Sequence, residues 1–124
     1  MENKKILIID DEKEFTDIIK AFLEEKGGFT VLAENDGLRG IEAAISFKPD
    51  LILLDLMMPG VDGAYVASQV KHAPGIQNTP VIFLTAAITR EEGESRDGVI
   101  GGHPFLAKPV QFKDLMALIG KHIC

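Results

Sequence analysis

Leu51-Ile52-Leu53-Leu54-Asp55 is an unbroken apolar run closed by an acid, and Ile6-Leu7-Ile8-Ile9-Asp10-Asp11 repeats the pattern with two adjacent acids. Continuous Ile/Leu segments of this length are the signature of strands buried on both faces, as in a parallel sheet. Ligands of open α/β sheets gather beyond the carboxyl ends of the strands. If the two runs are neighbouring strands, Asp10, Asp11 and Asp55 therefore converge. Carboxylates that close resist ionisation unless a cation joins them. The pattern predicts a divalent metal beside a reactive aspartate.

The rest of the chain alternates strand-like with helix-like segments, which argues for βαβ units. The first strand covers residues 4–10, and a helix over 13–26 places Phe15, Ile18, Ile19, Phe22 and Leu23 at helical spacing, stopped by Gly27-Gly28. A second strand covers 29–33; Asn35-Asp36-Gly37 turns into a helix over 38–47 whose inner face is read as Leu38, Ile41, Ala44 and Ile45. The third strand is 51–54. A loop, Met57-Met58-Pro59-Gly60, leads to a helix over 62–72 capped by Asp62, and Pro74-Gly75 breaks it. Strands at 80–84, ending at Thr85, and at 104–107 complete the sheet, and a helix over 112–122 turns Leu115, Met116 and Ile119 inward. Residues 89–102 hold four glycines, so a helix there would be short or labile, and the most mobile part of the fold is expected there.

Composition narrows the function. The 124 residues suit one domain over 1–124, and an apolar share of 46% suits a packed core. A net charge of −6, with 13 basic residues scattered among 19 acids, argues against direct contact with nucleic acid. No signal peptide is read at the start, and no apolar run approaches membrane-spanning length. The single cysteine, Cys124, can form no internal disulfide, which fits a reducing cytoplasm.

Asp10 and Asp11 can share a site only where the backbone leaves the strand, because adjacent strand residues point to opposite faces. Mg²⁺ prefers hard oxygen ligands and takes only one or two carboxylates directly, keeping several waters. Thr85 and Lys108 end the fourth and follow the fifth strand, so both project onto the same edge. A hydroxyl and an ammonium suit the oxygens of a phosphoryl group. Each residue also has a plainer reading: Asp11 as a helix cap, Asp55 as a solvated strand end, Thr85 as a strand residue, Lys108 as a surface lysine. The fourfold arrangement is what is specific.

The chain resembles, over essentially its full length, the receiver domains of two-component response regulators, similar in extent to the single-domain chemotaxis type. The matching signatures are Ile8-Ile9-Asp10-Asp11-Glu12, the stretch Leu54-Asp55-Leu56-Met57-Met58-Pro59-Gly60-Val61-Asp62-Gly63, Leu84-Thr85-Ala86, and Phe105-Leu106-Ala107-Lys108-Pro109. The resemblance implies an α/β, flavodoxin-like fold: a doubly wound five-stranded parallel sheet in the order 2-1-3-4-5. It implies that Asp55 accepts a phosphoryl group from a phosphohistidine on a sensor histidine kinase or histidine phosphotransfer protein. Mg²⁺ would be held by the Asp10, Asp11 and Asp55 side chains with the Met57 backbone carbonyl, and Lys108 would offset charge on the transferring group. Thr85 and Phe105 would act as the switch, turning inward in succession and remodelling the face of the family's fourth helix, fifth strand and fifth helix, which a downstream protein target reads. A cis peptide would precede Pro109. The expectation is a cytoplasmic, monomeric, non-enzymatic phosphoacceptor without attached effector domain or membrane insertion, whose output passes through a protein partner or a phosphorelay. Met57, Ala86 and Ala87, none able to orient a water, suggest slow self-dephosphorylation.

Departures from the family pattern fall at Gly102-His103-Pro104-Phe105. Pro104 can sit only at a strand start or edge, Phe105 lacks the hydroxyl of a tyrosine, and His103 is read as a surface loop residue. Three other readings compete. A flavin binder of the same architecture needs a phosphate-cradling loop after the first strand, where Asp10-Asp11-Glu12 would repel phosphate. An aspartyl phosphohydrolase needs an acid two residues after the nucleophile, where Met57 stands. A degenerate receiver would serve as a phosphorylation-independent docking module.

Overall fold

The computed structural model describes residues 3–86, 99–100 and 102–123. Five parallel strands, β1 (Lys5–Ile9), β2 (Thr30–Glu34), β3 (Leu51–Leu54), β6 (Val81–Thr85) and β8 (His103–Ala107), lie in the spatial order β2-β1-β3-β6-β8. This is the expected order 2-1-3-4-5, counted over the parallel strands.

Alternation along each strand divides the core. Leu7, Ile9, Ile52, Leu54 and Phe83 face one side, where α2 (Gly37–Phe47) and α3 (Gly63–His72) bury Ala44, Val66 and Val70. Ile6, Ile8, Leu51, Leu53, Ile82 and Leu84 face the other, where α1 (Lys13–Gly27) and the C-terminal helix Phe112–Ile123 bury Ile19, Leu23, Leu115 and Ile119. Because both faces are covered, every position from Ile6 to Ile9 in β1 and from Leu51 to Leu54 in β3 is buried and apolar, which is why the two runs read as unbroken.

Local chemistry sets the ends. Gly28 takes a left-handed φ of 69° and its N–H donates to the Leu23 carbonyl, closing α1. The Asp36 carboxylate accepts from the N–H groups of Leu38 and Arg39 at 2.9 and 3.2 Å, and Asp62 accepts from Ala64 at 2.8 Å. Both helices thus satisfy otherwise orphaned amide donors.

Two inward assignments, Leu38 and Ile45, are corrected, as is the place of Ile18 in the apolar spacing of α1. Ile18 is 58% exposed, Leu38 55% and Ile45 46%. In α2 the buried residues are Gly37, Gly40 and Ala44, because the helix approaches the sheet too closely for large side chains: a Cβ on Gly40 would stand 2.7 Å from Ile9 Cδ1. In α1 the stripe runs through Thr16, Ile19 and Leu23, which rotates Ile18 outward. Two further corrections concern loops. Residues 57–60 belong to a tight hairpin in which β4 (Met57–Met58) pairs antiparallel with β5 (Val61–Asp62), with Gly60 at φ 75°. His103 starts β8, half-buried, with its ring edge-on to Phe83 at 5.5 Å. Val99–Ile100 form a two-residue strand, β7, antiparallel to β8. Apart from β7 and Gly102, residues 89–102, where mobility was expected, lie outside the described residues.

Candidate functional site

The carboxyl ends of β1, β3, β6 and β8 meet at one edge. Hydrogen bonds from Asp55 N–H to the Ile9 carbonyl, and from Lys108 N–H to the Thr85 carbonyl, both 2.9 Å, stitch the strand ends together. Carboxylate oxygens of Asp10, Asp11 and Asp55 all lie within 4.8 Å of one another. Asp10, Asp55 and Thr85 are buried, while Asp11 is exposed at the rim.

Lys108 spans the cluster. Its Nζ stands 2.6 Å from Asp10 Oδ2, 2.9 Å from Glu12 Oε1 and 3.6 Å from Asp55 Oδ2. It also sits 4.5 Å from the centre of the Phe15 ring, a cation–π arrangement. Burial by itself would lower the Lys108 pKa, but Asp10 and Glu12 outweigh it and hold the ammonium more firmly protonated than usual. Burial raises the Asp10 carboxyl, against the pull of Lys108. Asp55 is pushed up to about 6, first by burial and then by the charge of Asp10, with Lys108 and the Met57 N–H opposing.

One ammonium thus faces three acids, with Asp11 beside two of them. The donor set fits a hard divalent cation: three carboxylates converge, and burial destabilises two of them, Asp10 and Asp55, as anions. Asp10, Asp11 and Asp55 could supply oxygens, directly or through a metal-bound water. Met57 lies beside them, its N–H donating to Asp55 Oδ1 at 3.2 Å.

A family model described as the response regulator receiver domain matches residues 6–120. The chain belongs to that family. Among curated relatives, this receiver domain is 34% identical over 119 residues to the DNA-binding dual master transcriptional regulator RpaA of Synechocystis, covering 93% of this chain and 47% of that one. It is 33% identical to the transcriptional regulatory protein YvrH of Bacillus subtilis, over 99% of this chain and 50% of the relative. The chain thus spans about half the length of these relatives. Among solved structures, the signal receiver domain of a DNA-binding response regulator from Colwellia psychrerythraea matches at TM-score 0.80 and 32% identity, covering 96% of this chain and 97% of that one. The receiver domain of the sensor histidine kinase PA1611 from Pseudomonas aeruginosa, solved with a magnesium ion in its active-site cleft, shares the fold at TM-score 0.82 and 24% identity, over 98% of both chains.

Asp10, Asp11, Asp55, Met57, Thr85, Phe105 and Lys108 are all described, and Asp10, Asp11, Asp55, Thr85 and Lys108 share the edge. The Lys108–Pro109 peptide is cis. Phe105 is buried in the core beside Phe83 rather than displayed at the surface. Met57 and Ala86 are exposed, and Ala87 lies outside the described residues. Among the described residues, no helix is long and apolar enough to cross a membrane.

Several contributors were missed from sequence. Asn35, read only as a turn residue, donates from Nδ2 to the Asp10 carbonyl at 2.8 Å and to Thr16 Oγ1 at 3.0 Å, tying the end of β1 to α1. Glu12 reaches Lys108 across 96 positions of chain, and Phe15 lies beneath the ammonium. No periodicity announces such pairings. Only the Asn-Asp-Gly context marked Asn35 as special at all.

Proposed function

We propose that this receiver domain accepts a phosphoryl group on Asp55 from the phosphohistidine of a sensor histidine kinase or histidine phosphotransfer protein, and signals through the resulting change of shape. The observation that carries this reading is the convergence of three carboxylates within 4.8 Å around an ammonium that contacts Asp10 and approaches Asp55. An Asp55 carboxylate oxygen attacks phosphorus, the N–P bond breaks, and its electron pair returns to the donor imidazole, leaving an acyl phosphate. Asp10, Asp11, Asp55 and the Met57 carbonyl would hold Mg²⁺, which when bound would supply positive charge to the phosphoryl oxygens. Lys108 adds a positive charge from the end of β8, and the Thr85 hydroxyl would donate a hydrogen bond to the group once it turns toward it.

The acyl phosphate favours a conformation already accessible to the domain, in which Thr85 turns toward it and Phe105 follows. A protein target then reads the altered face. Nothing in this chemistry turns over substrate, so the domain is a phosphoacceptor rather than an enzyme, and a cytoplasmic setting with access to a kinase suits it. The net charge of −6 makes this segment itself a poor match for nucleic acid. Exposed Met57 and Ala86 offer no group to align a hydrolytic water, which supports slow self-dephosphorylation.

Phosphotransfer from a panel of phosphorylated histidine kinases tests the reading: the wild-type chain takes up label and Asp55→Asn does not. Uptake by the variant at the wild-type rate would remove Asp55 as acceptor. Titration with Mg²⁺ and beryllofluoride separates the docking-module alternative, for which amide spectra stay unchanged.

A further inference from the structure

Glu12 follows the acid pair, and its exposed carboxylate meets the largely buried Lys108 side chain, with Oε1 2.9 Å from Nζ. Its backbone is fixed from both directions. The Glu12 N–H donates to Asp10 Oδ1 at 2.9 Å, and its carbonyl accepts from the Thr16 N–H at 3.0 Å. Glu12 occupies the N-cap of α1, yet its side chain makes no capping hydrogen bond. Its carboxylate is committed to Lys108 instead.

The two close anionic partners of that ammonium differ in kind. The Asp10 side chain is 1% exposed and pairs at 2.6 Å with an ammonium-bearing side chain only 11% exposed. Removing one member of such a pair strands a buried charge and is costly. The Glu12 side chain is 62% exposed, and exposed ion pairs contribute little because water replaces either partner readily. Glu12 is therefore the anion that Lys108 can surrender. The third acid, Asp55, has Oδ2 at 3.6 Å from Nζ, near enough that oxygens added to it would compete for the ammonium.

Resting on the phosphoacceptor reading, we propose that Glu12 is a positioning residue of the site: it tethers the Lys108 ammonium toward solvent and yields it when phosphoryl oxygens arrive on Asp55. The hand-over exchanges one ion pair for another and involves no covalent step. The tether makes Lys108 less available to an incoming anion, so loosening it tightens anion capture. Because the pair is exposed, the effect is at most about five-fold.

Four proteins test this: wild type, Glu12→Gln, Glu12→Asp and Glu14→Gln. Glu12→Asp keeps the charge but shortens the reach, and Glu14→Gln removes a nearby exposed charge from the first turn of α1. No side-chain cap is lost in either Glu12 variant, so folding is preserved. The first readout is the half-saturating beryllofluoride concentration at saturating Mg²⁺. Both Glu12 variants lower it by about two- to five-fold, and Glu14→Gln leaves it unchanged. The second readout, in metal-free protein, is the rate of acetylation of Lys108 by acetic anhydride relative to the other lysines, followed by mass spectrometry. It rises by about the same factor in both Glu12 variants. If Glu12→Asp matches wild type while Glu12→Gln shifts, the residue acts through its field alone and the tether is overturned. Identical Lys108 acetylation in all four proteins overturns it as well. A wild-type protein indifferent to beryllofluoride, whose Lys108 is nonetheless unmasked by the Glu12 variants, keeps the tether and overturns the phosphoacceptor reading instead.

Discussion

Gly63 packs directly against the backbone of Asp55: a Cβ at position 63 would collide with the Asp55 carbonyl oxygen and stand 2.7 Å from Leu56 Cα. The same glycine donates its N–H to the Leu56 carbonyl at 2.8 Å. The first residue of α3 is thus pressed onto the turn that presents the reactive carboxylate. Backbone atoms cannot step aside as a flexible side chain can. Gly63→Ala is expected to destabilise the fold by about 1–3 kcal/mol, as overpacking does, and to slow phosphotransfer by shifting Asp55. Urea unfolding and phosphotransfer rates check both, and an unchanged midpoint counts against the close packing.

Asp55 titrates at about 6 against an ordinary 3.8, so its contribution to stability runs opposite to that of a salt-bridged acid. The folded state holds its proton more tightly than the unfolded chain. The associated stability is complete below pH 3.8 and is lost as pH rises through about 6. Without divalent cations, Asp55→Asn escapes that loss. The variant should match wild type near pH 4 and exceed it by on the order of 2–3 kcal/mol above pH 7. Urea melts across this range, with chelator present, measure the difference, and a gap that does not widen with pH refutes the assigned cause.

Cation binding should relieve the same repulsion. Mg²⁺ at about ten times its dissociation constant adds about 1.4 kcal/mol to the wild-type stability, and a chelator removes it. Asp10→Asn, which takes away a buried donor, should weaken Mg²⁺ binding at least tenfold, equivalent to about 1.4 kcal/mol. Calorimetric titration compares the two proteins. Equal affinities would place the metal elsewhere.

Asn35 joins β1 to α1 through the Asp10 carbonyl and Thr16 Oγ1. Asn35→Ala leaves both acceptors without their amide donor, at a cost of about 1–3 kcal/mol. Because the Asp10 backbone is one of them, Mg²⁺ affinity should fall as well, whereas loss of a mere turn residue would spare it. Thermal melts with and without Mg²⁺ distinguish the two.

Large apolar side chains are a poor guide to the buried face of this chain's helices. In α2, Leu38 and Ile45 carry the hydrophobicity, but Gly37, Gly40 and Ala44 carry the contact. Amphipathic periodicity weighs residues by size and polarity, so a helix that docks through small residues presents the wrong face to it. His103 lies in strand β8 rather than in a loop because its backbone pairs with Ile100 and its ring packs edge-on to Phe83, contacts made between separate segments.

Strand identity, order along the chain and the acids closing β1 and β3 were legible in the sequence, because two-sided burial forces apolar runs to end where polar chemistry starts. The helix ends at Asp36 and Asp62 were also local matters, settled within a few residues by unpaired amides. Which anions share the Lys108 ammonium was decided only by tertiary structure. Glu12, Phe15 and Asn35 enter the site through contacts made across long stretches of chain, and spacing along a sequence does not encode distances across strand ends.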